Sequence, residues 1–248
     1  MEWSPAWWVL LACAFGAEVL GTMAGFGAAT VLTPIAAWFL DIKTAIALVA
    51  AFHLIGNASR LVFFGRFINW RTWLLFGVTG VALSGIGARV AATLPSPMIQ
   101  AAFGAFLLLY VAASSMSSWL VLPSHPLTLL GGGIASGFVA GLLGTGGAIR
   151  SACLLAFRLP KEAYLGTSAA IALVVDATRL PIYLAERLLP VSMAWLVAAL
   201  VPVGFGGAWV GQRLVRRLSA AAFRRAVLAL LAAMGIKLLW DGWQGLAS

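Results

Sequence analysis

Gly137-Phe138-Val139-Ala140-Gly141-Leu142-Leu143-Gly144-Thr145-Gly146-Gly147 lies inside one apolar run, residues 127–157, and its reading decides the fold. A single crossing takes about 20 residues, and this run is too long for one. Gly144-Thr145-Gly146-Gly147 at its middle is poor helix material, since each glycine costs about 1 kcal/mol relative to alanine. The run therefore predicts a helix, a break and a second, shorter helix. Working outward, only residues 5–40 show the same overlong, glycine-rich character, with Gly25-Phe26-Gly27 at the centre. A helix from about Pro5 to Thr22 is expected there, then a break, then a shorter helix ending near Leu40. Trp3, Trp7 and Trp8 at one end and Trp38 at the other suit two ends at one interface, where tryptophan collects. Each of these segments is read as glycine-broken or re-entrant.

The other apolar runs, 44–65, 72–94, 98–122, 162–184, 189–212 and 220–240, each read as one crossing. The 248 residues are 62% hydrophobic and 9% charged, with mean hydropathy +1.02. A soluble domain is about a quarter charged, so that class is excluded. The expected fold is an all-α polytopic membrane protein of 8–10 segments, embedded in the lipid bilayer. Met1-Glu2-Trp3 lacks the basic region of a cleavable signal, so the first segment is expected to stay. Cys13 and Cys153 give neither metal spacing nor a disulfide framework. The formal charge of +9 reads as cytoplasmic loops rather than a nucleic-acid surface. No cofactor is expected.

The chain is a duplication. Gly25-Phe26-Gly27 is matched 119 positions later by Gly144-Thr145-Gly146, and Lys43-Thr44-Ala45 returns as Lys161-Glu162-Ala163 at 118. Asn57-Ala58-Ser59-Arg60 returns as Asp176-Ala177-Thr178-Arg179 at 119, and Gly87-Ala88-Arg89 as Gly211-Gln212-Arg213 at 124. The halves are residues 1–122 and 127–248, joined by Leu122-Pro123-Ser124-His125-Pro126.

With each broken run doubling back, a half has five segments, and the two halves are inverted repeats. Loop charge supports this. The loop after Gly87 holds Arg89 alone, while its copy after Gly211 holds Arg213, Arg216, Arg217, Arg224 and Arg225. Arg66 and Arg71 have only Arg187 in their copy, and Lys43 alone stands against Arg158 and Lys161. Copies differ as opposite sides of a membrane require under the positive-inside rule. Both termini are then outside.

Polar groups at membrane depth point to function. Asn57 and Arg60, like Asp176 and Arg179, are three apart and share a helix face. Two guanidinium groups near a pseudo-twofold axis would hold an oxyanion bidentately. The plain alternative is that each arginine pairs with its own Asn or Asp, or anchors at the interface. Gly25, Gly27, Gly144, Gly146 and Gly147 expose backbone N–H groups at the start of a half-helix, whose positive end favours an anion. Thr145 adds a hydroxyl and Arg150 lies about one turn on. The same glycines could instead serve close helix packing, a reading that suits Gly21-x-x-x-Gly25 and Gly137-x-x-x-Gly141. Glu18, whose counterpart is Gly137, and His53 are proton-coupling candidates, each with the alternative of a satisfied buried group.

On these residues the chain resembles the sulfite exporter TauE/SafE family of membrane permeases. The likeness rests on Gly21-x-x-x-Gly25-x-Gly27 with Pro34, then Gly137-x-x-x-Gly141-x-x-Gly144-x-Gly146-Gly147. Pro160-Lys161-Glu162-Ala163, Thr167-Ser168 and the Gly87/Arg89 and Gly211/Arg213 ends add to it. It covers about residues 8–240. The resemblance implies a bacterial inner-membrane carrier of small sulfur-containing anions such as sulfite, sulfoacetate or other organosulfonates, often outward. Two departures stand out. Ala28-Ala29 follow Gly27 where the family tends toward a longer glycine run, and Arg150 replaces an apolar residue.

The leading expectation is a secondary transporter of a small oxyanion, with a proton or sodium as coupling ion. No Gly-x-x-x-x-Gly-Lys-[Ser/Thr] stretch is present for ATP. A divalent-cation carrier would have to use Glu18, Asp176 and His53 against three arginines. An intramembrane enzyme would have to use Ser136 without an arguable base. Glycines within the membrane permit a homodimer.

Overall fold

The computed structural model describes residues 5–24, 27–116, 122–214 and 220–247. Trp3, Gly25, Phe26, Arg216 and Arg217, used above, lie outside these, as does the side chain of Arg224. Every long element is helical: α1 (Pro5–Ala24), α2 (Ala29–Ala36), α3 (Ile42–Phe64), α4 (Trp70–Thr93), α5 (Ser96–Ser115), α6 (Pro126–Leu143), α7 (Gly147–Ala156), α8 (Lys161–Ala185), α9 (Ala194–Leu214) and α10 (Ala220–Ala247). Among the described residues, six stretches are long and apolar enough to cross a membrane: α3 with its 3-10 extension, α4, α5, α6, α8 and Val191–Gly211. α10 covers the run 220–240 as a helix but is not one of the six, whereas α6, from an overlong run, is.

Local chemistry sets the helix ends. Asp41 accepts from Lys43 N at 2.9 Å to start α3, and Asn69 accepts from Thr72 N at 3.0 Å to start α4. His125 Nδ1 accepts from Leu127 N at 3.2 Å where the linker enters α6. Gly144 ends α6 in the left-handed region, at φ +78, which favours glycine.

Close contacts give the helix directions. His53 and Asn57 reach Asp176 while Phe64 lies against Gly166, so α3 and α8 run antiparallel. Gly104 lies on Gly235 and Leu239, and Pro97 on Gly245, so α5 and α10 are antiparallel too. Gly133, Gly137 and Gly141 follow Phe76, Gly80 and Ser84 in step, making α6 parallel to α4. Gly207 and Gly211 follow Glu18 and Thr22, making α9 parallel to α1. These directions close into one path only if α2 doubles back on α1 and α7 on α6. Local contacts agree: residues 27–28 lie against Gly21, and Gly146 lies against Ser136 and Ala140, about two turns before α6 ends.

Glycine packing holds α4 and α6 together. A Cβ on Gly137 would overlap the Gly80 backbone, with Gly80 Cα 2.7 Å away. Gly137→Val is therefore expected to lower stability by about 1–3 kcal/mol through overpacking. Gly131→Ala, where an added Cβ meets nothing within 4 Å, should hold or raise it, since alanine favours the helix. Thermal unfolding in detergent measures both. Equal melting temperatures for the two variants would contradict this packing.

Candidate functional site

Residues next to the two breaks meet in the interior. Thr30 Oγ1 in the first turn of α2 and Thr145 Oγ1 between α6 and α7 lie 2.7 Å apart, both buried. The Ser136 hydroxyl donates to the Gly146 carbonyl at 2.8 Å and pins the second break to α6. Gly27 has φ +87, and a Cβ there would sit 2.5 Å from His53 Nε2. Glycine is needed at this position both for backbone conformation and for the approach of the ring. No side chain caps the start of α2 at Ala28 or of α7 at Gly146, so the first N–H groups have no partner from within the helix or from a capping side chain.

The polar signatures form one buried chain between α3 and α8. His53 Nδ1 is 2.9 Å from Asp176 Oδ2, and Asn57 Nδ2 donates to the same oxygen at 3.2 Å. Arg60 Nη1 donates to Asn57 Oδ1 at 3.0 Å, and Nη2 to Thr22 Oγ1 at 3.2 Å and to the Glu18 carboxylate. Arg179 Nε and Nη2 reach Asp176 Oδ1 at 2.9 and 2.7 Å, while Nη1 donates to the Ala140 carbonyl. Tyr183 donates to the Gly141 carbonyl.

Both signature arginines have partners inside the protein. Each is paired inside the protein, Arg60 with Asn57 and Glu18 and Arg179 with Asp176. Each also reaches the end of a broken helix, through Glu18 and Thr22 on α1 or through Ala140 on α6. Glu18 is fully buried in its pair with Arg60.

Arg150 differs. It lies one turn into α7, is 5% exposed, and donates from Nε to Ser168 Oγ on α8 at 3.0 Å. Among the described residues no carboxylate pairs with it. Asp176, Arg60 and Arg179 are near enough to act on it electrostatically. The buried set Glu18, Asp176, Arg60, Arg150 and Arg179 carries one positive charge in excess.

Of the expected site residues, the structure joins Gly27, His53, Asn57, Arg60, Glu18, Asp176 and Arg179 in one contact network. Gly144, Thr145, Gly146, Gly147 and Arg150 belong to the second break and the helix it starts. Gly25 lies outside the described residues. Sequence reading did not single out Thr30, Thr22, Ser168 or Tyr183 as site residues. Thr167-Ser168 entered only as a family mark, and nothing in spacing pairs Thr30 with Thr145.

Residues 10–238 match the family described as Sulfite exporter TauE/SafE. The chain belongs to the sulfite exporter TauE/SafE family. The match runs from α1 into α10 and takes in both breaks and both signature pairs. Neither the search of curated proteins nor that of solved structures returned a match. Membership makes this TauE/SafE chain a membrane transporter of the sulfite exporter type, which agrees with its apolar helices.

Proposed function

We propose that this TauE/SafE chain is a secondary transporter that moves a small sulfur-containing anion (sulfite, sulfoacetate or a related organosulfonate) out across the bacterial inner membrane. One observation carries the substrate's sign. Arg150 is a buried guanidinium without a carboxylate partner among the described residues, beside an uncapped half-helix start. Burying a charge without a counter-charge is costly, and an oxyanion at the break would supply that charge. Gly144, Thr145, Gly146 and Gly147 would offer backbone and hydroxyl donors, and Gly27 the corresponding approach from the first half.

The alternating-access reading rests on two halves, 1–122 and 127–248, as inverted repeats with both termini periplasmic. It is supported by the antiparallel α3 and α8, the antiparallel α5 and α10, and the exchange of α1–α9 for α6–α4 packing. Rocking of one half against the other would open the central site to each side in turn. The inside-negative potential favours outward movement of an anion, by about 2.3 kcal/mol per charge per 100 mV. The roles are those of a carrier, not of an enzyme.

The test is equilibrium binding by the purified protein, scanning sulfite, sulfoacetate, thiosulfate, sulfate, acetate and nickel. At least one sulfur oxyanion should bind more tightly than acetate. Binding of nickel alone would refute the reading.

A further inference from the structure

We propose that His53 Nε2 is the atom that takes up a proton when the anion binds, so that proton and anion occupy the central site together. The inference rests on the anion-transporter reading and names its coupling ion and the atom that carries it.

The tautomer follows from the hydrogen-bond network. A carboxylate only accepts, so the hydrogen between Asp176 Oδ2 and His53 Nδ1, 2.9 Å apart, belongs to the ring. Asn57 Oδ1 accepts from Arg60, which turns the Asn57 amide N–H groups toward Asp176. A neutral His53 then carries its lone pair on Nε2. That nitrogen is buried and has no hydrogen-bond partner among the described residues. It points at the Gly27 turn from which α2 starts, close enough that only a glycine fits there. A bare acceptor beside an uncapped helix start leaves a vacancy for a proton. Protonation turns Nε2 into a charged donor aimed into the break, while Asp176 on the opposite nitrogen stabilises the imidazolium.

The groups facing His53 from each element are few. From α3 come Asn57 and Arg60, and from α8 Asp176 with Arg179 behind it. Glu18 of α1 stands beyond Arg60. α2 carries no titratable residue, α5 only Tyr110, and α9 only Arg213, which stacks on Trp209. In the 3-10 turn after α3, Arg66 lies over Phe67. Arg150 acts from α7. These arginines are already charged, which leaves the imidazole as the group among them that can take up a proton. An anion in the break favours the imidazolium, and by linkage the imidazolium favours the anion. The repeat position of His53 is Ala172, so there is one such proton site, not two.

The chain has two histidines, His53 and His125, so ¹⁵N-histidine NMR of the full protein in detergent reads the site directly. Thiosulfate and sulfoacetate serve as probes because neither takes up a proton near neutral pH. At pH 8 without anion, His53 should be neutral with hydrogen on Nδ1. Saturating probe should convert it to imidazolium, leave His125 unchanged, and draw close to one proton per bound anion from a weakly buffered solution. His53→Gln should bind the probe about tenfold more weakly at pH 6 and take up no proton. A probe that binds while His53 stays neutral overturns the inference and leaves the transporter reading standing. Proton uptake that survives in His53→Gln does the same. Failure of every probe to bind the wild-type protein overturns the transporter reading itself, before any proton is counted. The wild-type spectrum decides the question even if the variant does not fold.

Discussion

Arg150→Gln is expected to weaken binding of the sulfur oxyanion by about thirtyfold or more while the protein stays folded. Truncating one partner of a buried charged pair costs about 2–5 kcal/mol, and each 1.4 kcal/mol is about tenfold in affinity. Folding should survive because Arg150 balances no carboxylate among the described residues. Glutamine can still hydrogen-bond Ser168, as the guanidinium does. Arg150→Lys should fall between, since lysine keeps the charge and loses the planar fork. Titration calorimetry on the three proteins measures the effect. An unchanged dissociation constant in Arg150→Gln would remove Arg150 from the site and leave the glycine breaks to hold the anion alone.

The second large effect concerns folding. Asp176→Ala should destabilise the protein by about 3–5 kcal/mol, because it strands the fully buried Arg179 without its counter-charge. It also removes the acceptor for His53 and Asn57. Replacing both members, Asp176→Ala with Arg179→Leu, should recover part of the loss, since an apolar pair leaves no stranded charge. Reversible unfolding of the two variants in detergent gives the comparison. If Asp176→Ala unfolds like the wild type but no longer binds anion, the signature arginines contact substrate and do not position the breaks.

The break at Gly144-Thr145-Gly146-Gly147 was legible because glycine weakens a helix locally, whatever surrounds it. The helix observed over Pro126–Leu143, followed by one starting at Gly147, matches that reading. The shared face of Asp176 and Arg179 was legible for the same kind of reason, since helical periodicity alone places them together. Which alternative Arg60 would take was not. Its partner Glu18 lies 42 positions away on another helix, and that pairing follows from how α1 and α3 both pack on α9. Thr30 meeting Thr145 across 115 positions was likewise invisible, because two separated threonines carry no periodicity.

The sequence by itself determined the membrane class, the two broken segments and the residues that carry charge into the apolar interior. These depend on composition and local spacing, which act over a few residues. Only the tertiary structure decided which charges cancel. Three arginines look alike along the chain, yet among the described residues Arg60 and Arg179 find carboxylates and Arg150 does not. That difference arises from contacts between helices distant in sequence, where burial makes each pairing, or its absence, count for most.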